Sequence, residues 1–171
     1  MIRKTAKVGD WIVGTGSKAY QADGRLVYVM KVSEILPYDD YWRDPRFHQK
    51  KPNLRGSLKQ GYGDNIYHRN SKTGQWIQED SHHSYQHGQP NPNNIKHDTQ
   101  TSNVLISTQF TYWGGSGPKI PTRFRDYKGF DVCGYRGHKC NFPQTFIDSF
   151  VAWIKSLDEK GYVGDPAEFD T

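Results

Sequence analysis

The chain has 171 residues, enough for one domain with a sizeable core and too few for two full domains. Apolar residues make up 34% and aromatic residues 14%, so the core and any binding surface lean on Tyr, Trp and Phe more than on Leu and Ile. The net charge is +5, no apolar run of about 18 residues occurs, and the amino terminus lacks the apolar segment of a secretory signal; membrane insertion and export are not expected, and a cytoplasmic location is.

Strand signals come first. "DWIVG" at 10–14 and "RLVYVMKVSEI" at 25–35 carry the β-branched and aromatic residues of strands, the second buried on much of both faces. The loop "TGSKAYQADG" joins them. Between Pro37 and Pro52 lies an aromatic and charged excursion with room for a short helix at 39–43. Residues 53–100 are polar, with brief strand candidates at 66–68 and 76–78; as bare loop the segment is too long for a compact domain, so tertiary contacts or a ligand must order it. "NVLISTQFTYWG" at 103–114 reads as one central strand stopped by Gly114 and Gly115, and the glycine-rich stretch 127–140 as irregular. From 142 to 160, Phe146, Ile147, Phe150, Val151, Ile154 and Leu157 recur at helical spacing, with Pro143 suited to the first turn and Gly161 to the stop. An acidic tail, 161–171, follows.

The expected architecture is a single α+β domain spanning 1–171, with a motif-bearing core at 8–140. Its sheet is strongly bent and mostly antiparallel, or a small barrel, and a long C-terminal helix packs on it. Cys133 and Cys140, six apart, make no disulfide framework, and a reducing compartment leaves them free.

Three groups of residues carry candidate chemistry. "GTGSK" at 14–18 lacks the order of a Walker phosphate loop, so it reads as a strand-to-strand turn in which Gly16, Ser17 and Lys18 offer contacts to phosphate. The segment 43–72 is strongly basic, and its Arg46, Lys50 and Lys51 are the cations expected to hold phosphate, with Trp42 as the stacking face. Trp11 and Tyr28, on strands, read as core. "EDSHHSYQH" at 79–87 joins "GDNIYH" at 63–68, with His97 and Asp98 beyond, in a histidine- and acid-rich set without a metal-ligand spacing; the candidate catalytic residues are Asp64, His68, Asp80, His82 and His83, with Asn65 beside them. Within that set the expected pair is His82 or His83 oriented by Asp80 or Asp64.

Taken in order, "GDWIVGTGSK", "LVYVMKV", "YWRDPRF", "GDNIYH", "EDSHHSY", "VLIS" and "FTYWG" resemble the nucleotide modification associated domain 2 family, over about Val8 to Gly137. The strand order with its Gly/Ser loop and aromatic Asp-Pro segment is also similar to the start of PUA-like domains of the EVE and ASCH kind, small barrels that hold a modified or flipped base. The first resemblance implies association with base-modification systems, and the second a barrel fold. The expected function is recognition or modification of a nucleotide or nucleic-acid base, with nucleic acid or a nucleotide as partner, no membrane, and no cofactor that the sequence names. Two alternatives stand beside it. One is a histidine-based acid–base transferase or hydrolase acting on a base or sugar; the other is a phage-type interaction protein that binds a host protein or a nucleotide signal.

Overall fold

A computed structural model describes residues 2–18, 21–134 and 137–166. In chain order the strands and helices are β1 (Trp11–Thr15), β2 (Leu26–Lys31), β3 (Glu34–Pro37), α1 (Tyr38–Arg43), α2 (Leu58–Gly61), β4 (Tyr67–Arg69), β5 (Trp76–Gln78), α3 (Pro92–Asp98), β6 (Asn103–Ile106), β7 (Gln109–Tyr112), α4 (Gln144–Ser156) and β8 (Gly161–Tyr162). They form two compact units: Met1–Ser33 with Ser107–Thr171, and Glu34–Ile106.

The stretches read as single strands at 25–35 and 103–114 are each broken in two. The first breaks at Val32–Ser33 and the second at Ser107–Thr108, and in both cases hydroxyl groups take up backbone groups that a continuous ladder would pair. Ser107 Oγ donates to the Lys31 carbonyl at 2.7 Å, and Ser33 Oγ accepts from the Thr108 amide at 3.1 Å. β2 and β7 stay in the first unit, whereas β3 and β6 pair with each other in the second.

In the first unit a four-stranded sheet has the order β1-β2-β7-β8, antiparallel except for the last pair. "GTGSK" ends β1 and turns the chain toward β2, and a side chain at Gly16 would collide with the Ala22 carbonyl. The sheet's Leu26 and Val29 pack with Trp113, Ile120, Phe124, and with Phe146, Phe150 and Ile154 of α4, one face of the helix at four-residue spacing. This helix is 13 residues long, shorter than the 142–160 expected. Pro143 is extended and precedes its first turn, and at its end Ser156 Oγ donates to the Trp153 carbonyl while Asp158 turns left-handed at φ 50°, so the chain leaves the helix before Gly161. Gly161 opens β8 instead; of the expected acidic tail, 167–171 lie outside the described residues. Both cysteines are free thiols.

The second unit holds two two-stranded antiparallel sheets, β3-β6 and β4-β5. Tyr38, Ile66 and Tyr67 form its buried cluster, with Trp76, Ile95 and Val104 packed against it. The long polar segment is ordered because its polar side chains satisfy its own backbone. Asn70 accepts from the Lys72 and Thr73 amides in the β4–β5 turn, Ser57 and Gln60 form a reciprocal cap on α2, and Asn91 caps α3 ahead of Pro92.

The molecule is thus mixed α+β, built from sheets and short helices. None of the three sheets closes on itself among the described residues, so the barrel expectation is corrected: strands of two to six residues, interrupted by hydroxyl breaks, leave open edges. No helix among these residues is long and apolar enough to cross a membrane.

Phe124 is 1% exposed and meets Phe146 and Phe150 edge-on, at 5.6 and 4.9 Å between ring centroids. Phe124→Ala is expected to destabilise by about 3–5 kcal/mol, read from the urea midpoint at unchanged slope.

A candidate acid–base site centred on Asp98

The β4–β5 hairpin and α3 supply the site. Tyr67 on β4 and Gln78 on β5 stand directly opposite in the register, and their side chains point to one face. Asn91 and Pro92 start α3, whose last residue is Asp98. The Tyr67 hydroxyl donates to Asp98 Oδ2 at 2.8 Å and accepts from Gln78 Nε2 at 3.1 Å. The Asp98 carbonyl accepts from the Tyr38 hydroxyl at 3.1 Å, so the aromatic cluster fixes the carboxylate from two sides.

Two imidazoles share that carboxylate. His83 Nδ1 lies 3.0 Å from Oδ2 and His97 Nδ1 lies 3.0 Å from Oδ1. The His83 backbone is fixed independently, its carbonyl accepting from Gln78 Nε2 at 3.2 Å and Asn94 Nδ2 at 2.7 Å. Burial would raise the Asp98 pKa, but hydrogen bonds from His97, Tyr67 and His83 together outweigh it and hold the carboxyl below its ordinary value. An ionised carboxylate has no proton to give, so each Nδ1 carries the proton and donates. In a neutral ring that leaves Nε2 as the basic nitrogen, and Nε2 of His83 meets no hydrogen-bond partner among the described residues. His97 is 74% exposed and His83 39%, so His83 is the more enclosed of the two. Burial, and then the bond to Asp98, push the Tyr67 phenol up, and it stays a proton donor.

Of the residues expected from sequence, His82 and His83 meet, ring centroids 4.3 Å apart and edge to face, and His82 also lies 4.7 Å from Tyr62. The orienting carboxylate is Asp98, not Asp64 or Asp80. Asp64 Oδ1 accepts from the Tyr41 hydroxyl at 2.8 Å, and Asp80 Oδ1 from Ser84 Oγ at 3.0 Å. His68 stands apart from this group in its bonding: its Nε2 is 2.7 Å from Glu79 Oε1 and its ring stacks on Trp42 at 4.2 Å. Lys51 Nζ is 3.5 Å from the same indole, so a base reaches Trp42 only by displacing a side chain. Asn65 is 1% exposed and donates to the Tyr41 and Phe47 carbonyls, tying α1 to the turn after it instead of lining an open pocket. Arg46 is engaged by Glu34 and Asp44 through four bonds of 2.7–3.0 Å, which hold both carboxyls low and spend its charge locally. Lys50 is exposed, and its carbonyl accepts from the Asn65 amide. Gly16, Ser17 and Lys18 belong to the first unit; Ser17 and Lys18 are exposed. Tyr67 and Gln78 were not among the sequence candidates; Asp98 was visible as the far end of the histidine- and acid-rich set but was not chosen as the orienting acid, because only the formed helix α3 carries it to β4.

The family model described as nucleotide modification associated domain 2 matches residues 1–171, the whole chain, and so extends past Gly137 through α4 and the tail. No curated protein and no solved structure matches.

Asp98→Asn keeps the shape and removes the ionised acceptor, so a loss of about 1–3 kcal/mol is expected at neutral pH. Because folding lowers the Asp98 pKa, its contribution is present above the unfolded carboxyl value of about 4 and is lost as pH falls through the folded value. Urea unfolding at stepped pH should therefore show the two proteins converging in acid; a constant gap would refute the linkage.

Proposed function

We propose that this chain, which belongs to the nucleotide modification associated domain 2 family, recognises a nucleotide or nucleic-acid base, and that His83 is the acid–base group that acts on it. The single observation behind this reading is the His83–Asp98 pair: Nδ1 is held by a carboxylate kept ionised, and Nε2 has no partner among the described residues. Family membership supports the substrate class. The geometry supports the role, because carboxylate–imidazole pairing fixes the tautomer and stabilises the cation formed when Nε2 takes a proton.

In this reading His82 and Tyr62 border the site, and Lys50 and Lys51 supply charge for the phosphate. His97 shares the carboxylate as a second, solvent-facing ring. The reaction is a proton transfer to or from a group on the base or sugar, within a transfer or a hydrolysis.

The test uses deoxynucleoside triphosphates and duplex DNA as substrates, with products read by mass spectrometry. His83→Ala is expected to lower turnover by about 100-fold or more and Asp98→Asn by a similar factor, with folded spectra retained. His97→Ala should cost less than about tenfold, given its exposure. Turnover unchanged in His83→Ala refutes the role. Separately, Lys50→Ala with Lys51→Ala should weaken nucleic-acid binding and reduce the slope of log affinity against log salt by about 1–2; an unchanged slope counts against phosphate contact there.

A further inference from the structure

The first unit carries a cavity of about 1210 Å³ that the His83 reading does not use. It lies along β1, the edge strand of the four-stranded sheet, and is bordered by α4 from Gln144 to Lys155 and by His138, Lys139, Cys140 and Phe142. It is larger than the usual range of about 300–1,000 Å³ for small-molecule sites, and it is partly open to solvent, which makes it a groove.

Its aromatic lining comes from both faces of the sheet. Trp11 is paired with Lys31 across the β1–β2 register and shares the face that packs toward α4. Tyr28 starts on the opposite face, where its partner is Gly14. A Cβ at Gly14 would collide with the Tyr28 ring, so glycine alone lets the phenol lie across β1 to the sheet edge. There it lines the groove with Trp11 and Phe142, the latter backed by Phe146, which stacks on it at 4.8 Å. Both Trp11 and Tyr28 read as core from sequence, and both are partly exposed.

The polar groups of the groove are uncommitted in a selective way. Among the described residues Tyr28 Oη, the Trp11 indole N–H and the ammonium groups of Lys7, Lys31 and Lys155 have no partner. The acids in the lining are engaged: Asp10 accepts from the Lys7 amide, Asp131 from Arg125 and the Cys133 amide, and Asp148 from Gln144. Burial pushes the Tyr28 phenol up, so it keeps its proton. As an edge strand, β1 also turns one row of amide and carbonyl groups away from β2.

From this arrangement we infer that the β1 groove binds a nucleoside phosphate. The heterocycle lies against Trp11, Tyr28 and Phe142, and the phosphate is held by Lys7, Lys31 and Lys155. Rings stack on a base whatever its identity, and lysines meet phosphate as point charges. The phenol, the indole and the strand edge provide both donors and acceptors for the edge of a base, which a purely apolar groove would lack. The inference stands on the first unit alone and does not need His83.

Titration calorimetry on the full chain tests it, with deoxynucleoside monophosphates, the corresponding nucleosides, inorganic phosphate and a single-stranded thymidine oligonucleotide as probes. The monophosphates are expected to bind at least about tenfold more tightly than nucleoside or phosphate alone. Lys31→Glu with Lys155→Glu should weaken them by about tenfold or more, Tyr28→Phe by a few-fold, and His83→Ala not at all. Binding of the oligonucleotide but not the monophosphates, with the same lysine sensitivity, identifies a nucleotide within a strand as the occupant. The inference is overturned if neither binds, if charge reversal and Tyr28→Phe both leave affinity unchanged, or if inorganic phosphate binds as tightly as the nucleotides. Loss of turnover in His83→Ala with groove binding intact separates this proposal from the preceding one.

Discussion

Hydroxyl groups at Ser33, Ser107 and Thr108 decide how the chain is partitioned. A β-ladder continues as long as each amide and carbonyl finds its counterpart on the neighbouring strand, and a side chain that offers the same bonds at shorter range ends it. Ser107 binds the Lys31 carbonyl and Ser33 binds the Thr108 amide, so β2 and β7 stop at the same level. The chain leaves the first unit after Ser33 and re-enters it at Ser107, and everything between can be built as a separate small structure.

The two units solve the folding problem in different currencies. The first buries a contiguous set of large side chains, with rings of Phe124, Phe146 and Phe150 meeting edge-on or stacked. The second has few buried apolar residues and leans on polar side chains that close loops onto their own backbone. Gln78, 5% exposed, shows how tightly that network is drawn: it bonds to the Tyr67 hydroxyl, to the His83 carbonyl and to the Asn91 amide. A site made this way is preorganised, because the groups that position His83 are the same groups that hold the segment folded.

Local patterns were legible in the sequence, and partners across space were not. α1 forms where two prolines left room for a short helix, β5 at the expected 76–78, β4 within one residue of the expected 66–68, and the apolar face of α4 at its four-residue spacing. The breaks at Ser33 and Ser107 were hidden because β-branched and aromatic content continues on either side of them, and hydroxyl bonding depends on a partner some 75 residues away. For the site, the histidines were visible as a cluster, but the nearest acids in sequence, Asp80 and Asp64, are committed to Ser84 and Tyr41. Asp98 reaches His83 only once α3 has formed. Arg46 and Asn65 were chosen by residue type; their bonding to Glu34, Asp44 and backbone carbonyls is a tertiary fact that composition does not carry.

The packing around Trp42 has an optical consequence. Its indole lies against the His68 imidazole at 12° between planes while an ammonium group sits 3.5 Å from the ring. Both neighbours perturb the excited state of an indole, so its emission is tied to a geometry that Glu79 helps to hold through His68. The second unit thereby carries two indoles in distinct settings, Trp42 between an imidazole and an ammonium group and Trp76 facing the Arg69 guanidinium, so its fluorescence reports both surroundings at once.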